Sequence, residues 1–297
     1  MPFEVFYKVS ANRNERLRMF DLHSHLLPGI DDGSPNMRVS FEMARAYVDQ
    51  GVLCVACTPH ILPGLYHNTG PQIREAAAAL QTSLDEAGIP LHIATGADNH
   101  IIPDFVEGLR RGHLLALDDT AYVLVEPPHH VALARLEDLF FSILVAGYVP
   151  ILTHPERLTW IEGKYDVIER LSARGVWMQI TAGSLLGRFG RRPRYWAQRM
   201  LEEGRVHILA TDAHNNDSRP PDLLKGREAA AKIVGEKEAH HLVVTRPLGV
   251  LKNLHAGSLP EPEGITSEEV HEVERSVQAS GTGDGRSLRE RVRRLLA

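Results

Sequence analysis

Histidine and carboxylate side chains, which are common ligands of divalent metal ions, recur at short spacings in this chain. The first pattern is Asp-Leu-His-Ser-His, in which His23 and His25 stand two residues apart. Residues i and i+2 of a strand face the same side, so both imidazoles can converge on one ion as the strand ends. Asp212 and His214 repeat this spacing in Thr-Asp-Ala-His, and we expect them to close the opposite side of the site.

The other candidate ligands come from motifs between these two pairs. They belong to Thr-Pro-His, Gly-Ala-Asp, Glu-Pro-Pro and Thr-His-Pro-Glu-Arg. The loop after the first histidine pair adds Asp32, for which an ordinary Asp-Gly turn is the alternative interpretation. The sequence thus offers nine candidate metal ligands: His23, His25, Asp32, His60, Asp98, Glu126, His154, Asp212 and His214.

The number of ligands indicates the chemistry. A catalytic zinc ion takes about three protein ligands, so nine suffice for two or three ions if a carboxylate bridges. Adjacent ions suit displacement at phosphorus, in which metal-bound hydroxide attacks while the ions hold phosphoryl oxygens. The sequence has neither the C-x5-R loop of cysteine phosphatases nor a G-x4-G-K-[ST] phosphate loop. We therefore predict a metal-dependent phosphomonoesterase, with Mn, Fe, Zn or Co as the ion.

Arginines near these motifs are candidates for binding the phosphate. Arg157 lies three residues after His154, and a guanidinium group can hold two phosphoryl oxygens at once. We predict a substrate-binding and catalytic role for Arg157 and a catalytic role for Asp212. The alternative is that Arg157 only pairs with a nearby acid such as Glu156 or Glu162. The glycine-rich segment after the sixth predicted strand adds candidates for which a solvated basic loop is an equal alternative: Arg188, Arg191 and Arg192.

Seven short apolar or β-branched runs recur about every thirty residues, the length of one strand plus one crossover helix. Helical patterns fill the intervals, and a glycine ends most of them. This predicts an α/β fold of parallel strands with outer helices, in which one barrel is favoured over two domains. The predicted strands cover residues 19–23, 52–58, 91–98, 122–126, 149–153, 176–180 and 206–211.

Composition limits the partners and the location. The net charge of −5 over 297 residues gives no electrostatic reason to expect nucleic-acid binding. Cys54 and Cys57 lie in an apolar run, which favours buried thiols over a redox pair or half a zinc site. The most apolar stretch, residues 140–152, is too short to span a membrane, and the start of the chain lacks a secretory signal pattern. We therefore expect a cytoplasmic protein that does not insert into a membrane.

Changes in composition and hydrophobic pattern along the sequence suggest three regions. Residues 1–18 form an N-terminal extension, and residues 19–253 form the barrel. Residues 254–297 are rich in Gly, Ser, Glu and Pro at first, which is typical of a flexible tail. A short basic amphipathic helix can form at its end through Leu288, Val292, Leu295 and Leu296.

Several motifs together resemble a known family: DLHSHLLPGIDDG, TPH, HPER, AGSLLGRFG and TDAH, with RPLGVLKN near residue 253. They resemble the polymerase-and-histidinol-phosphatase (PHP) superfamily. Within it they are most similar to the bacterial manganese-dependent tyrosine phosphatases of capsule and exopolysaccharide clusters. The resemblance implies a distorted (β/α)7 TIM-like barrel with a trinuclear centre that is usually loaded with manganese. It also implies a partner, a bacterial tyrosine kinase whose phosphotyrosine tail is the substrate and which controls polysaccharide export.

The resemblance also implies how the ligands divide among the ions. The implied sets are His23, His25, Asp98 and Asp212 for one ion, Asp98, Glu126 and His154 for a second, and Asp32, His60 and His214 for a third. The family usually has glutamate at position 98, and aspartate is one methylene shorter, so two or three ions remain possible. Alternative functions are a small-molecule phosphatase of the histidinol-phosphate type and a non-catalytic metal-binding module. Three histidines that follow strand ends stay open as pocket-lining residues: His100, His129 and His130.

Overall fold

Parallel strands and outer helices build a mixed α/β fold. The computed structural model describes residues 18–265. Within them the strands are β1 Met19–Ser24, β2 Val52–Cys57, β3 His60–Leu62, β4 Tyr66–His67, β5 His92–Thr95, β6 Asp98–His100, β7 Tyr122–Glu126, β8 Val149–Thr153, β9 Trp177–Thr181 and β10 Ile208–Ala210. The α-helices there are α1 Met37–Asp49, α2 Gly70–Glu86, α3 Phe105–Arg110, α4 Leu136–Val145, α5 Tyr165–Ala173, α6 Ala182–Leu185, α7 Arg191–Glu202, α8 Leu223–His240 and α9 Arg246–Leu251.

The strands form two curled sheets. One contains β1, β2 and β5 in the order β1-β2-β5, and the other has the order β10-β9-β8-β7-β6-β3-β4. All pairs are parallel except the β3–β4 hairpin. A bridge between Ser24 and Ala213 joins the end of β1 to the chain just after β10. The carboxyl ends of the first and last strands therefore meet, while the exact count of seven β/α units stays a prediction.

Both faces of the strands are buried, which explains why the strand sequences are apolar throughout. In β7, Tyr122 and Leu124 belong to one apolar cluster inside the curled sheets. Val123 and Val125 point the other way and belong to the larger cluster that includes the outer helices. Cys54 and Cys57 are both completely buried in β2, and burial raises the pKa of each thiol. The prediction of buried thiols is confirmed.

Two predicted strands, residues 52–58 and 91–98, are each interrupted before the site. Pro59 has no N–H to donate, so the strand breaks after β2 and resumes as β3. β5 and β6 are separated at Gly96 and Ala97, where a Cβ atom on Gly96 would lie 2.8 Å from the side chain of Leu117. His60 and Asp98 consequently begin β3 and β6, where they pair in register, rather than following strand ends.

The helix boundaries follow local hydrogen bonding. Ser34 followed by Pro35 has the sequence pattern of an N-cap and first helical residue, but α1 begins two residues later: Asn36 is the N-cap, and its side chain accepts from Val39 N at 3.2 Å. The Ser34 hydroxyl donates to the Asn36 carbonyl instead. Positive φ angles occur at the glycines that were predicted to end helices: Gly51, Gly88, Gly147, Gly175 and Gly204. In the described range, no helix is both long and apolar enough to cross a membrane.

Residues 254–265 pack against the barrel instead of leaving it. The buried guanidinium group of Arg246 donates to the carbonyls of Pro260 and Glu261 at 2.7 and 2.9 Å. Leu259 is buried against the apolar cluster, and Ile265 N donates to Glu202 O at 2.9 Å. These contacts move the start of any flexible tail beyond residue 265. Residues 1–17 and 266–297, including the predicted C-terminal helix, lie outside the described residues.

Candidate metal centre

The nine predicted ligands lie together at the carboxyl edge of the strands. His23 and His25 end β1, His60 and Asp98 begin β3 and β6, and Glu126 ends β7. The other four lie in loops that follow β1, β8 and β10. Among the described residues, five overlapping groups have ligand atoms within 4.8 Å of one another: His25, Asp32, His60 and His214; His23, His154 and Asp212; His23, His25 and Asp98; His60, His100 and Glu126; and Glu126, His129 and His154.

The spacing of these atoms suits shared ions better than direct hydrogen bonds. His23 Nε2 lies 3.6 Å from Asp98 Oδ2 and 3.4 Å from Asp212 Oδ1. His60 Nε2 lies 3.5 Å from an oxygen of Asp32. Two ligands that are each about 2.1 Å from one ion lie about 3.0–3.5 Å apart at ordinary coordination angles. The donor set therefore fits divalent ions without rearrangement of the backbone.

Asp98 gives independent support for a cation. Its side chain is completely buried, and neither carboxylate oxygen has a hydrogen-bond partner in the described structure. A buried carboxylate without partners is costly, and a bound ion would remove that cost. Asp98 thus fits a ligand role despite its short side chain.

Acidic neighbours and burial set the charges of the imidazoles. Burial alone would lower the pKa of His60, but Asp98 and Glu126 outweigh it and raise that pKa to about 11. Burial, helped by Arg157, holds the pKa of His154 well below its usual value. Burial also lowers the pKa of His214 to about 4, with His25 as the next cause. His154 and His214 are therefore neutral and ready to ligate, whereas a metal ion must displace a proton from His60.

Partners behind the ligands fix the orientation of the imidazoles. The amide oxygen of Gln179 lies 2.9 Å from His23 Nδ1 and accepts its proton, which leaves Nε2 free for an ion. Asp31 Oδ2 lies 2.6 Å from His25 Nδ1 and has the same effect. Sequence reasoning selected only Asp32 from this loop. Spacing alone could not show that Asp31 supports a ligand while Asp32 joins the cluster.

The grouping differs from the one that the resemblance implies. Asp212 groups with His23 and His154 rather than with Asp98, although its Oδ1 also lies 3.3 Å from His25 Nε2. His25 in turn also groups with Asp32. His23 and His25 therefore each lie between two groups, and the assignment of individual ligands to individual ions stays a prediction.

Two guanidinium groups lie at the edge of the cluster. Arg157 and Arg219 both pair with Oδ2 of Asp212, the second at 2.5 Å. The Arg157 guanidinium lies over the Phe189 ring at 4.5 Å. Arg157 therefore pairs with Asp212 and not with Glu156, whose Oε1 accepts from side-chain hydroxyls and a backbone N–H instead. Sequence reasoning missed Arg219, because no spacing rule brings a residue five positions after His214 back to the site.

The other predicted arginines lie apart from the cluster. Arg188 pairs with Asp222, and Arg191 is exposed at the start of α7. Arg192 donates to the carbonyls of Leu158 and Arg157, at 2.8 and 3.2 Å, and so supports the loop that carries Arg157. Within residues 18–265, neither Arg188 nor Arg191 forms a hydrogen bond or ion pair with a candidate ligand.

Two histidines join the cluster although sequence reasoning left them open. His100 Nε2 lies 2.5 Å from Glu126 Oε2, and His129 Nε2 lies 3.0 Å from Glu126 Oε1. His130, by contrast, is exposed. Asp98 and His100 have the Asp-x-His spacing of Asp212 and His214, and this signal could have identified His100.

Fold and cluster together define an α/β protein with a candidate metal centre at the carboxyl edge of its strands. The family model for capsular polysaccharide synthesis proteins, CpsB/CapC, matches residues 19–252. The chain belongs to this family.

Relatives and a solved structure agree with the family. The chain is 38% identical over 201 residues to tyrosine-protein phosphatase YwqE of Bacillus subtilis, covering 68% of this chain and 79% of that protein. It is 29% identical over 238 residues to tyrosine-protein phosphatase CpsB of Streptococcus pneumoniae, covering 78% and 98%. A crystal structure from work on YwqE and CpsB, described as metal-dependent tyrosine phosphatases, superposes with a TM-score of 0.78 at 33% identity. That match covers 84% of this chain and 100% of the other.

Proposed function

We propose that this chain is a metal-dependent protein-tyrosine phosphatase. The observation that carries the proposal is the convergence of Arg157 and Arg219 on Asp212, a member of the metal cluster. Cations beside guanidinium groups attract a phosphate dianion and suit hydrolysis of a phosphate monoester. The names of the relatives support tyrosine as the phosphorylated residue.

Asp212 connects the two parts of the site. Its Oδ1 faces His23 and His25, while its Oδ2 accepts hydrogen bonds from both arginines. This carboxylate holds the guanidinium groups in place, so that their remaining N–H groups can bind phosphoryl oxygens. When bound, the divalent ions supply an activated water nucleophile and stabilise the charge on the phosphoryl oxygens.

The ligands and the metal are part of the proposal. We assign the ions to His23, His25, Asp32, His60, Asp98, Glu126, His154, Asp212 and His214, with manganese as the preferred metal. Iron, zinc and cobalt suit the same mixture of imidazoles and carboxylates. We count β2 with β3, and β5 with β6, as single barrel strands and leave out β4, which only forms a hairpin with β3; this gives the seven strands of a (β/α)7 barrel.

The partner follows from the family. We propose that the substrate is the phosphotyrosine-bearing tail of a bacterial tyrosine kinase that regulates capsule or exopolysaccharide synthesis. The family description supports this pathway. We place the protein in the cytoplasm, where such a tail would be accessible, and retain residues 19–253 as the proposed catalytic barrel.

The test compares substrates with and without metal. Purified protein is incubated for a long period with excess EDTA and then assayed on p-nitrophenyl phosphate, a phosphotyrosine peptide, a phosphoserine peptide and histidinol phosphate. We expect chelation to abolish hydrolysis, manganese to restore it, and kcat/KM to be highest for the phosphotyrosine peptide. Full activity in EDTA would refute the metal mechanism, and a preference for histidinol phosphate would favour the small-molecule alternative.

A further inference from the structure

His100 lies on the same strand as Asp98 and faces the same cluster. The two residues stand at positions i and i+2 of β6, so their side chains point to one side of the sheet. Asp98 is completely buried, whereas the side chain of His100 is 16% exposed. β6 therefore places a carboxylate in the interior and an imidazole nearer to solvent.

Asp98 approaches the Glu126 side of the cluster through His60. Its Oδ2 lies 3.4 Å from His60 Nδ1, which in turn lies 3.3 Å from Glu126 Oε2. Among the described residues, Asp98 shares a group with His23 and His25, and none of the groups that contain Glu126 includes Asp98. His100 contacts Glu126 directly, because its Nε2 lies 2.5 Å from Glu126 Oε2, and these two residues form a group with His60.

His60 lies between Glu126 on one side of the cluster and Asp32 on the other, but it can bind an ion on one side only. Its Nδ1 lies 3.3 Å from Glu126 Oε2, and its Nε2 lies 3.5 Å from Asp32 Oδ1. A neutral imidazole has only one nitrogen with a free lone pair, so His60 can ligate an ion on one side only. His100 Nε2 lies 3.3 Å from His60 Nδ1 and 2.5 Å from Glu126 Oε2, so a proton joins His100 to the carboxylate in the metal-free site. An ion that displaced this proton would bind the Nε2 lone pair and a Glu126 oxygen, with the two atoms about 3 Å apart.

We propose that His100 is a metal ligand that binds a divalent ion together with Glu126. The ligand set on this side is then rich in imidazole, as in catalytic zinc and iron sites. The proposal adds a tenth ligand to the nine and rests on the metal centre of the proposed function. The competing role for His100 is that of a hydrogen-bond partner that only orients Glu126.

Ion binding by the full-length protein distinguishes the two roles. The protein is stripped with chelator, Mn²⁺ or Co²⁺ is added, and ions per chain and affinity are measured by elemental analysis and calorimetry. The variants are His100→Ala and His100→Gln, since glutamine can still donate a hydrogen bond to Glu126. His67→Ala is the matched control, because His67 is an exposed histidine on β4. Thermal unfolding in EDTA reports whether each variant folds.

The outcomes are separable. If His100 is a ligand, both variants lose one ion per chain or bind one ion more than a hundredfold more weakly, beyond the usual 10–100-fold effect of an orienting partner. Unchanged binding in both variants, or full rescue by His100→Gln, overturns the proposal. A wild-type protein that binds no divalent ion would instead refute the proposed metal centre itself.

A cysteine variant gives a signal that a merely structural role would not produce. In His100→Cys loaded with Co²⁺, a ligating thiolate produces a near-ultraviolet charge-transfer band. The native thiols are both buried in β2 and remain present in the control, His67→Cys. We expect the band in His100→Cys and not in the control. Its absence from a folded, cobalt-loaded His100→Cys protein would contradict the ligand role.

Discussion

At the scale of single residues, Arg157 can be tested apart from metal binding. We expect Arg157→Ala to lower kcat/KM by about 10²–10³-fold, the usual effect of removing a donor that stabilises transition-state charge. Arg157→Lys should be intermediate, because lysine keeps the charge but not the planar fork. Steady-state kinetics and elemental analysis together check this, with ion content unchanged in both variants.

Arg191→Ala is the control for this pair, since Arg191 is exposed at the start of α7. It should hydrolyse substrate at the wild-type rate. A loss in kcat would assign Arg157 to the transition state, and a loss confined to KM would assign it to ground-state binding. Near wild-type kcat/KM in Arg157→Ala would leave Arg219 as the phosphate-binding arginine.

The cysteines test whether thiol chemistry contributes. Cys54→Ser and Cys57→Ser should lower the melting temperature, because each places a hydroxyl in an apolar interior at a cost of about 1–3 kcal/mol. Turnover by the folded variants should stay close to wild type. A thousandfold fall in kcat with the fold intact, about 4 kcal/mol in barrier, would reverse this conclusion.

The sequence brought the candidate ligands together because they follow strand ends, which meet at one edge of the sheet. His23 and His25 face the same side with the strand period of two, whereas Asp212 and His214 lie beyond β10, with Asp212 at a positive φ, and fall in different groups. His100 was left open because the strand was predicted to stop at Asp98. Arg219 was missed because its position depends on how the loop after β10 folds back, and no local pattern encodes that path.

At the scale of elements, the loop after β1 depends on a glycine. A Cβ atom on Gly33 would lie 2.3 Å from the His25 carbonyl oxygen and 2.4 Å from His25 Cβ. Gly33→Ala must therefore push this loop, with Asp31 and Asp32, away from His25. We expect a loss of about 1–3 kcal/mol in stability, typical of overpacking, and weaker ion binding.

Thermal unfolding and metal titration check the Gly33 prediction. Gly163→Ala is the control, since a Cβ there meets no atom within 4 Å. Equal ion affinity in both alanine variants would show that the loop adapts without moving its carboxylates. A drop confined to Gly33→Ala would show that the close approach positions the ligands.

The sequence predicted which segments form strands and helices, but it did not predict where β2 ends before β3 or where β5 ends before β6. Apolar runs of five to eight residues predicted strands correctly, since strands buried on both faces need no alternation. Where β2 gives way to β3 and β5 to β6 depends on Pro59 and on the contact of Gly96 with Leu117, which is a tertiary contact. The start of α1 likewise depended on tertiary contacts, because Ser34 is buried and bonds elsewhere, which leaves the exposed Asn36 as the N-cap.

At the scale of the whole molecule, residues 254–265 contribute to the stability of the barrel. We expect a chain that ends at residue 265 to melt higher than one that ends at residue 253. The shorter chain loses two carbonyl acceptors of the buried Arg246, at Pro260 and Glu261, together with the buried Leu259. The difference should be on the order of 5 °C for a domain of this size.

Differential scanning calorimetry of both truncated chains measures this difference. Equal melting temperatures would mean that water replaces the lost contacts at no cost and that the barrel ends at residue 253. Composition could not predict this packing, because a segment rich in Gly and Pro looks like a linker. One apolar residue, Leu259, and one buried cation, Arg246, are enough to hold it in place.

The candidate ligands differ greatly in their access to solvent, and this has a consequence for how metal is acquired. His23, His25 and Asp98 are completely buried, whereas the side chains of Asp32 and His129 are 45% and 27% exposed. An ion beside the buried residues should exchange with the medium more slowly than an ion beside the exposed residues. The inner metal would then be the last to be removed by chelator and the last to be replaced, and freshly purified protein would still carry the metals present where it was made.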